Sequence, residues 1–299
     1  MSTYGQIQDR LINAFPELSP TRIADIINSS YQRLLSRRKW SFLYDVTNLS
    51  TIAPYTTGTV DVTQGSATVT GTSTVWTSAM VGRQLRVADD SGFYKIKTVT
   101  PPDSITLDTV YAGITKTAQG YSIFQNLYSL SSSCRNLLSI VYQMKLIEKD
   151  LYFVDRYDPD RLTTGQPEWF IKRGKDSNGY LQIELWPIPD DAYPLRYSYI
   201  KSVSDMSKDS DLPVINSTLL EMEATIECLR WSALIPSAQA PQSVYRQQIS
   251  EAIAMRNELY LECMRDDRRN DSEIMNTLDK MFTIEMPASD SFWAAHDSE

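Results

Sequence analysis

Few residues in this chain are of the kinds that carry catalysis, and their spacing is unpromising. The single histidine, His296, stands close to the last residue. No hydrolase triad and no histidine-based zinc site can be assembled around it. Cys134, Cys228 and Cys263 match no metal-ligand spacing. Cys228 and Cys263 fall in helical patterns, where free cysteine behaves as a small buried hydrophobe, and a reducing cytoplasm disfavours a bridge. The acidic pairs Asp89-Asp90, Asp190-Asp191 and Asp266-Asp267 sit in turns or charge-rich stretches and read as solvated. A glycosidase would need two such acids held across a cleft. Asp155, Asp158 and Asp160 loosely resemble an acidic metal loop, but Pro159 interrupts it and no closing glutamate follows at calcium-loop spacing. A turn leading into Arg161-Leu162 is the expected reading. Neither a phosphate-binding Gly-x-x-x-x-Gly-Lys-Ser/Thr loop nor a Gly-x-Gly-x-x-Gly fingerprint is present. The sequence therefore points to no catalytic residue, cofactor or metal.

Two features could bind rather than react. Arg37-Arg38-Lys39 beside Trp40 could hold nucleic acid on an aromatic platform, cap the negative end of a helix, or pair with an acidic neighbouring subunit. Trp76, in Thr74-Val75-Trp76-Thr77, could stack on a sugar, although an aromatic plug inside a small barrel is the favoured role.

Charge and composition narrow the setting. Acidic residues outnumber basic ones, 37 to 29, giving a net charge of -8. That balance argues against wrapping nucleic acid by neutralising phosphates, and suits a conduit to which passing DNA does not stick. No apolar run is long enough to span a bilayer, and the first residues lack the pattern of a secretory signal, so a protein made and kept in solution is expected.

Stepping along the chain, three textures follow one another. Up to about Ser50 the pattern is helical. Tyr4, Ile7, Leu11 and Ala14 or Phe15 mark one short helix stopped by Pro16. Ser19-Pro20 supplies a cap and first-turn proline for a second, whose face carries Ile23, Ile26, Ile27, Tyr31 and Leu34. From Thr57 to Phe124 the period becomes two. Thr59–Thr63 and Ala67–Gly71 flank a glycine turn, and further strands are expected at Gln84–Val87, Phe93–Val99 and Ser104–Leu107. Strands this short suggest a small antiparallel barrel or sandwich inserted between helical flanks. Beyond it, Leu137–Tyr142 reads as a strand, and Leu181–Trp186 and Leu195–Ile200 read as a hairpin about Pro187-Ile188-Pro189. A helix capped by Asn216 or Ser217 follows, apolar on more than one side through Leu219, Leu220, Ile226, Leu229, Trp231 and Ile235, and so buried in a bundle or pressed on a second chain. Another helix is expected over Gln242 to Asp267, then a tail ending in Phe292-Trp293.

The expected fold class is α+β: a helical bundle core with an inserted small antiparallel β-barrel or sandwich and a β-hairpin. The expected divisions are a core from 1–56 and 126–267 with its hairpin at about 181–200, an insert at 57–125, and an extended tail at 268–299.

Three stretches together resemble the head-to-tail adaptor (connector) proteins of tailed bacteriophages. The first is the helix ending in Tyr31-Gln32-Arg33-Leu34-Leu35-Ser36-Arg37-Arg38-Lys39-Trp40-Ser41-Phe42-Leu43. The second runs from Gly165-Gln166-Pro167-Glu168-Trp169-Phe170 through Leu181–Trp186 and Pro187-Ile188-Pro189-Asp190 to Leu195–Tyr199, and on by Asp209–Pro213 into the long helix. The third is the insert from Gly58 to Gly113, similar to small β modules of phage necks and tails. The resemblance spans most of 20–265 and implies a structural virion protein rather than an enzyme. It implies a homo-oligomeric ring, a dodecamer, bound under the portal protein and presenting a surface to a tail or nozzle protein. Genomic DNA would transit the lumen without specific binding, no membrane would be involved, and the protein would be made in the host cytoplasm and reside in the virion neck. Candidate contacts with a neighbour or the portal are Arg37, Arg38, Lys39, Trp40, Trp231, Phe292 and Trp293. The alternative is another tail or baseplate protein whose β-domain touches host surface or carbohydrate.

Overall fold

The protein, a computed structural model, is described over residues 1–234 and 242–282, with side chains as far as 269. In order, the elements are α1 (Tyr4–Ala14), α2 (Pro20–Ser36), β1 (Tyr44–Ser50), β2 (Thr59–Val62), β3 (Thr68–Thr72), β4 (Gln84–Val87) and β5 (Tyr94–Thr100). Then come β6 (Ser104–Leu107), β7 (Lys116–Gln119), β8 (Tyr121–Phe124), β9 (Leu127–Ser129), β10 (Cys134–Tyr142), β11 (Met144–Lys145), β12 (Ile147–Glu148) and α3 (Leu151–Tyr157). Last are β13 (Trp169–Lys175), β14 (Leu181–Trp186), β15 (Pro194–Lys201), α4 (Ser217–Ser232) and α5 (Gln242–Phe282). The class is mixed α+β. The compact units divide at Tyr44/Asp45 and Ile200/Lys201, so 126–200 belongs with the strands before it and not, as expected, with the helices.

In the helical unit, local chemistry fixes each start. Thr3 and Gln6 form a reciprocal capping box on α1, Ser19 accepts from Arg22 N with Pro20 in the first turn of α2, and Asn216 accepts from the backbone of Thr218 and Leu219 to start α4. The two-sided α4 is covered by its own chain. It packs on α2 and α5, burying Leu219, Leu220, Ala224, Ile226, Cys228 and Leu229. Its apolar girth is thus largely satisfied internally and does not by itself call for a second copy, apart from its exposed end at Trp231 and Leu234. The helix expected to stop at Asp267 continues: α5 is 41 residues long, through Phe282, because the charge run after Asp267 contains no proline or glycine to break it. The extended tail expected from 268 is therefore helical as far as Phe282, and Phe292, Trp293 and His296 lie outside the described residues.

In the β unit, the expected strands of the insert form one seven-stranded antiparallel sheet, ordered β7-β2-β3-β6-β5-β4-β8. Register pairs Thr59 with Thr72 and Val62 with Val69 across the glycine turn. Val60, Val62, Val69, Leu85, Val87, Ile96, Ile105 and Ile123 point to one side and bury there with Trp76 and Tyr111. The sheet curls, but its ladder does not close into the expected barrel. β7 and β8 are separated only by Gly120 and serve opposite edges as one continuous stretch, so covalent continuity stands where a closing ladder would run.

Residues 126–200, with β1, form two four-stranded sheets, β1-β15-β10-β11 and β12-β13-β14-β9. They share a core in which Ile183, Leu185 and Phe170 from one sheet meet Leu195, Tyr197, Tyr199, Leu137 and Ile140 from the other. The expected hairpin of Leu181–Trp186 with Leu195–Ile200 does not form. After Trp186 the chain bonds sideways, Ile188 N to Thr163 O and Gly165 N to Ile188 O, and crosses to the opposite sheet. Alternation showed correctly that each strand has an apolar face; the two faces meet across a core instead of lying edge to edge. The stretch Tyr44–Ser50, grouped with the helical start, is also a strand, held as the edge partner of β15.

Candidate functional site

The exit of α2 is where the helical unit concentrates charge and aromatic surface. Glu223 on α4 is 4% exposed and lies among three guanidinium groups. Its Oε1 is 2.9 Å from an Arg37 nitrogen and 3.1 Å from Arg33 Nε, and its Oε2 is 2.8 Å from Arg256 on α5. Just beyond, Asp267 of α5, also buried, accepts from Ser41 N at 2.8 Å and Ser41 Oγ at 2.7 Å, and pairs with Arg38 at 2.9 Å. Each buried carboxylate thus has the charged and hydrogen-bonded partners its desolvation requires. Trp40, proposed as a contact, is 1% exposed. Its indole NH donates to Leu34 O, and its ring stacks on Phe42 and meets Tyr260 edge-on. Among the proposed contact residues, Arg37, Arg38 and Trp40 are therefore engaged within the chain, which provides the acidic partner that a neighbouring subunit was expected to offer. Lys39 remains exposed. Trp231 is 41% exposed at the end of α4, with the guanidinium of Arg22 4.5 Å over its ring.

The β unit has an ionic centre of the opposite make-up. Arg161, buried, donates from Nε to Glu184 at 2.7 Å, from one terminal nitrogen to Asp158 O at 2.6 Å, and from the other to the Asp155 carboxylate. Glu184 also accepts from Asn126. The Asp158 carboxylate accepts from Leu162 N, Thr163 N and the Trp186 indole. Burial alone would raise its pKa; those three donors outweigh it and hold the group below the usual carboxylate range. Asp155 and Asp158 are so occupied in building the turn into Arg161 and Leu162. Among the described residues no cluster of histidine, cysteine and carboxylates is placed to hold a metal.

Beside this centre lies the largest concentration of uncovered aromatic surface among the described residues. Trp169 stacks on Trp186 at 4.1 Å, and Phe153 and Tyr157 of α3 close on Trp169 edge-on. Tyr152 is 77% and Tyr157 63% exposed, and Ile147, Leu151, Phe153 and Leu162 are open to solvent as well. Trp76 is the reverse case. It is buried in the curled sheet and donates to Tyr121 OH at 2.8 Å, which donates on to Thr57 O at 2.7 Å. It is the aromatic plug, and has no face to offer a sugar. Cys134 and Cys228 are free and buried, with thiols pushed up by burial to about 11 and about 12.

Sequence reasoning missed Glu223, Glu184 and the α3 patch, and it read Asp267 as solvated, whereas that carboxylate is buried against Ser41 and Arg38. The available signals were the place of Glu223 between Leu219 and Ile226 on an apolar stripe of α4 and the aromatic spacing of Tyr152, Phe153 and Tyr157 on either side of Arg156. No protein-family model matches the chain, and no curated protein matches it in sequence.

Proposed function

We propose that the chain is a non-enzymatic structural subunit of a tailed-phage virion, a head-to-tail adaptor that assembles as a ring beneath the portal and joins it to the tail or nozzle. The observation that supports this most directly is the aromatic patch of α3. A single chain leaves Tyr152, Phe153, Tyr157, Leu151, Ile147 and Leu162 uncovered around a Trp169–Trp186 stack in which the Trp186 indole is already bonded to Asp158. Clustered exposed aromatics of this kind mark protein contact surfaces, and tyrosine and tryptophan dominate such contacts energetically. The exposed Trp231 and Leu234 at the end of α4 give a second such surface on the helical unit, as a head-to-tail ring contact requires two different patches. The chemistry of the ionic centres fits the same role, since their charged groups hold segments together and leave none poised beside a reacting position.

The dodecameric state, the portal and the neck location come from the resemblance of the α2 exit, the Gly165–Tyr199 stretch and the β insert to adaptors. The test is to mix the purified chain with purified portal rings and view the product by negative-stain electron microscopy, alongside the Tyr152→Ser/Tyr157→Ser double variant. A ring of the chain seated on the portal, lost in the variant while its circular dichroism is unchanged, is the expected result. A chain that stays monomeric with the portal overturns the proposal, and retention on a glycan column in that case points to the carbohydrate-contacting alternative.

A further inference from the structure

A groove of about 670 Å³ runs through the β unit, apart from the α3 patch and independent of the ring reading. Four stretches meet there: the end of β1, the start of β4 with its neighbour β5, the strand β9, and the turn after β13. The β4–β5 stretch brings two cations and the end of β13 brings a third. Arg83 is fixed at the start of β4, where its carbonyl accepts from Ile96 N and its own NH donates to Met80 O. Lys95 lies on the adjacent strand, opposite Gln84. Lys175 ends β13.

None of these three has an ion-pair partner among the described residues, in a chain where carboxylates are in excess. Unlike Arg33, Arg37, Arg38, Arg161 and Arg256, which are all paired, these three converge on one hollow. Arg83 is the sharpest case, because its Nε is shut off from solvent and has no acceptor. Leaving a guanidinium partly desolvated and unpaired is costly, and a bidentate oxyanion on its outer edge is the partner that geometry suits best. The one acid on the groove, Asp176, is already occupied by Ser129 Oγ at 2.8 Å, Asn178 N at 2.9 Å and Tyr180 N at 2.8 Å. Three cations less that carboxylate leave two positive charges facing the space. A carboxylate ligand would neutralise one of them. A phosphate dianion or monoester, carrying about two negative charges at neutral pH, neutralises both. Leu49, Ile52 and Leu127 line the same groove and offer an apolar bed for whatever the phosphate is attached to.

We propose that this groove is a binding site for a dianionic phosphate group, free or as a monoester, with Arg83 as its main anchor and Lys95 and Lys175 completing the charge. The test is calorimetric titration of the full chain at constant ionic strength with inorganic phosphate, phenyl phosphate, acetate and a short single-stranded oligodeoxynucleotide. Saturable phosphate binding is expected, about tenfold or more tighter than acetate, and weakening as pH falls through about 6 where the second proton returns. Phenyl phosphate binding tighter than phosphate identifies an esterified ligand seated on the apolar bed; equal binding identifies free phosphate. Arg83→Gln is expected to weaken both by about tenfold or more. Lys95→Gln and Lys175→Gln alter exposed side chains and keep the test alive if Arg83→Gln disturbs folding; each is expected to weaken binding about threefold. Equal affinity for acetate and phosphate, binding of the oligonucleotide alone, or undiminished phosphate affinity in both lysine variants overturns the proposal.

Discussion

The helical unit and the β unit each bury an ionic hub, and the two are built with opposite sign. In the helices one carboxylate, Glu223, serves Arg33, Arg37 and Arg256. In the β unit one guanidinium, Arg161, serves Glu184, Asp155 and the carbonyl of Asp158. The difference lies in slack. The side chains of Arg33 and Arg37 are 39% and 35% exposed, so if Glu223 is lost water can take over their charge. Arg161 and Glu184 are 5% and 3% exposed and have no such recourse. Arg161 also holds a left-handed backbone, φ 52, which a side chain adopts only where its surroundings enforce it. The helical hub therefore ties together flexible reaches from three helices, and the β hub fixes one turn rigidly.

Removing the centre of each hub tests that contrast most strongly. Arg161→Met takes from the buried Glu184 its nearest cation and leaves it only Arg173 at 3.6 Å, and is expected to destabilise the β unit by about 3–5 kcal/mol, measured by urea unfolding. Glu223→Gln keeps a hydrogen-bonding side chain and leaves arginines that can solvate, for an expected loss of about 1–3 kcal/mol. Equal losses from the two variants would break the comparison.

Asp158→Asn probes the β hub's turn at smaller amplitude. The wild-type carboxyl has its pKa depressed in the fold, so its contribution is present above the unfolded value near 3.9 and disappears as pH falls through the lower folded value. The variant is thus expected to be less stable than wild type at pH 7 by about 1–3 kcal/mol, with the gap closing below about pH 4. A gap independent of pH would remove the carboxylate from the account. The finest readout is thiol labelling at pH 8. Cys134 in the β core and Cys228 in the helical core, with thiols raised to about 11 and about 12, are expected to resist alkylation, while the half-buried Cys263 reacts first. Arg161→Met should speed labelling of Cys134 without that of Cys228, and Glu223→Gln the reverse. Mass spectrometry of the labelled chain decides this.

What could be read from the residues was what neighbours in sequence decide. Ser19-Pro20, Asn216 and the turn between β2 and β3 each act over a few residues, and each appears where the pattern put it. Pairing across distance was not legible. Leu181–Trp186 and Leu195–Ile200 have the same alternation whether they lie side by side or face to face, and only the lateral bonds of Ile188 and Gly165 decide between the two. The strand Tyr44–Ser50 was hidden because it lies at a sheet edge with little buried surface to impose a period. The cation run Arg37-Arg38-Lys39 was visible, but its partners Glu223 and Asp267 stand far along the chain, so the same residues read equally as cap, patch or contact. The unpaired Arg83 was invisible for the converse reason: no spacing in a sequence reports that a partner is missing.

Tyr55 N donates to Ile123 O at 2.8 Å and Ile123 N returns the bond to Tyr55 O at 2.9 Å, joining the approach to β2 with the last strand of the seven-stranded sheet, β8. The chain therefore leaves for that sheet and comes back at almost the same point. To the rest of the β unit, the whole module occupies no more span than a tight turn would. Exchanging it leaves the span between the host strands unchanged, and what has to be rebuilt is its side contact, where Arg86 of β4 donates to the carbonyls of Asp160 and Arg161.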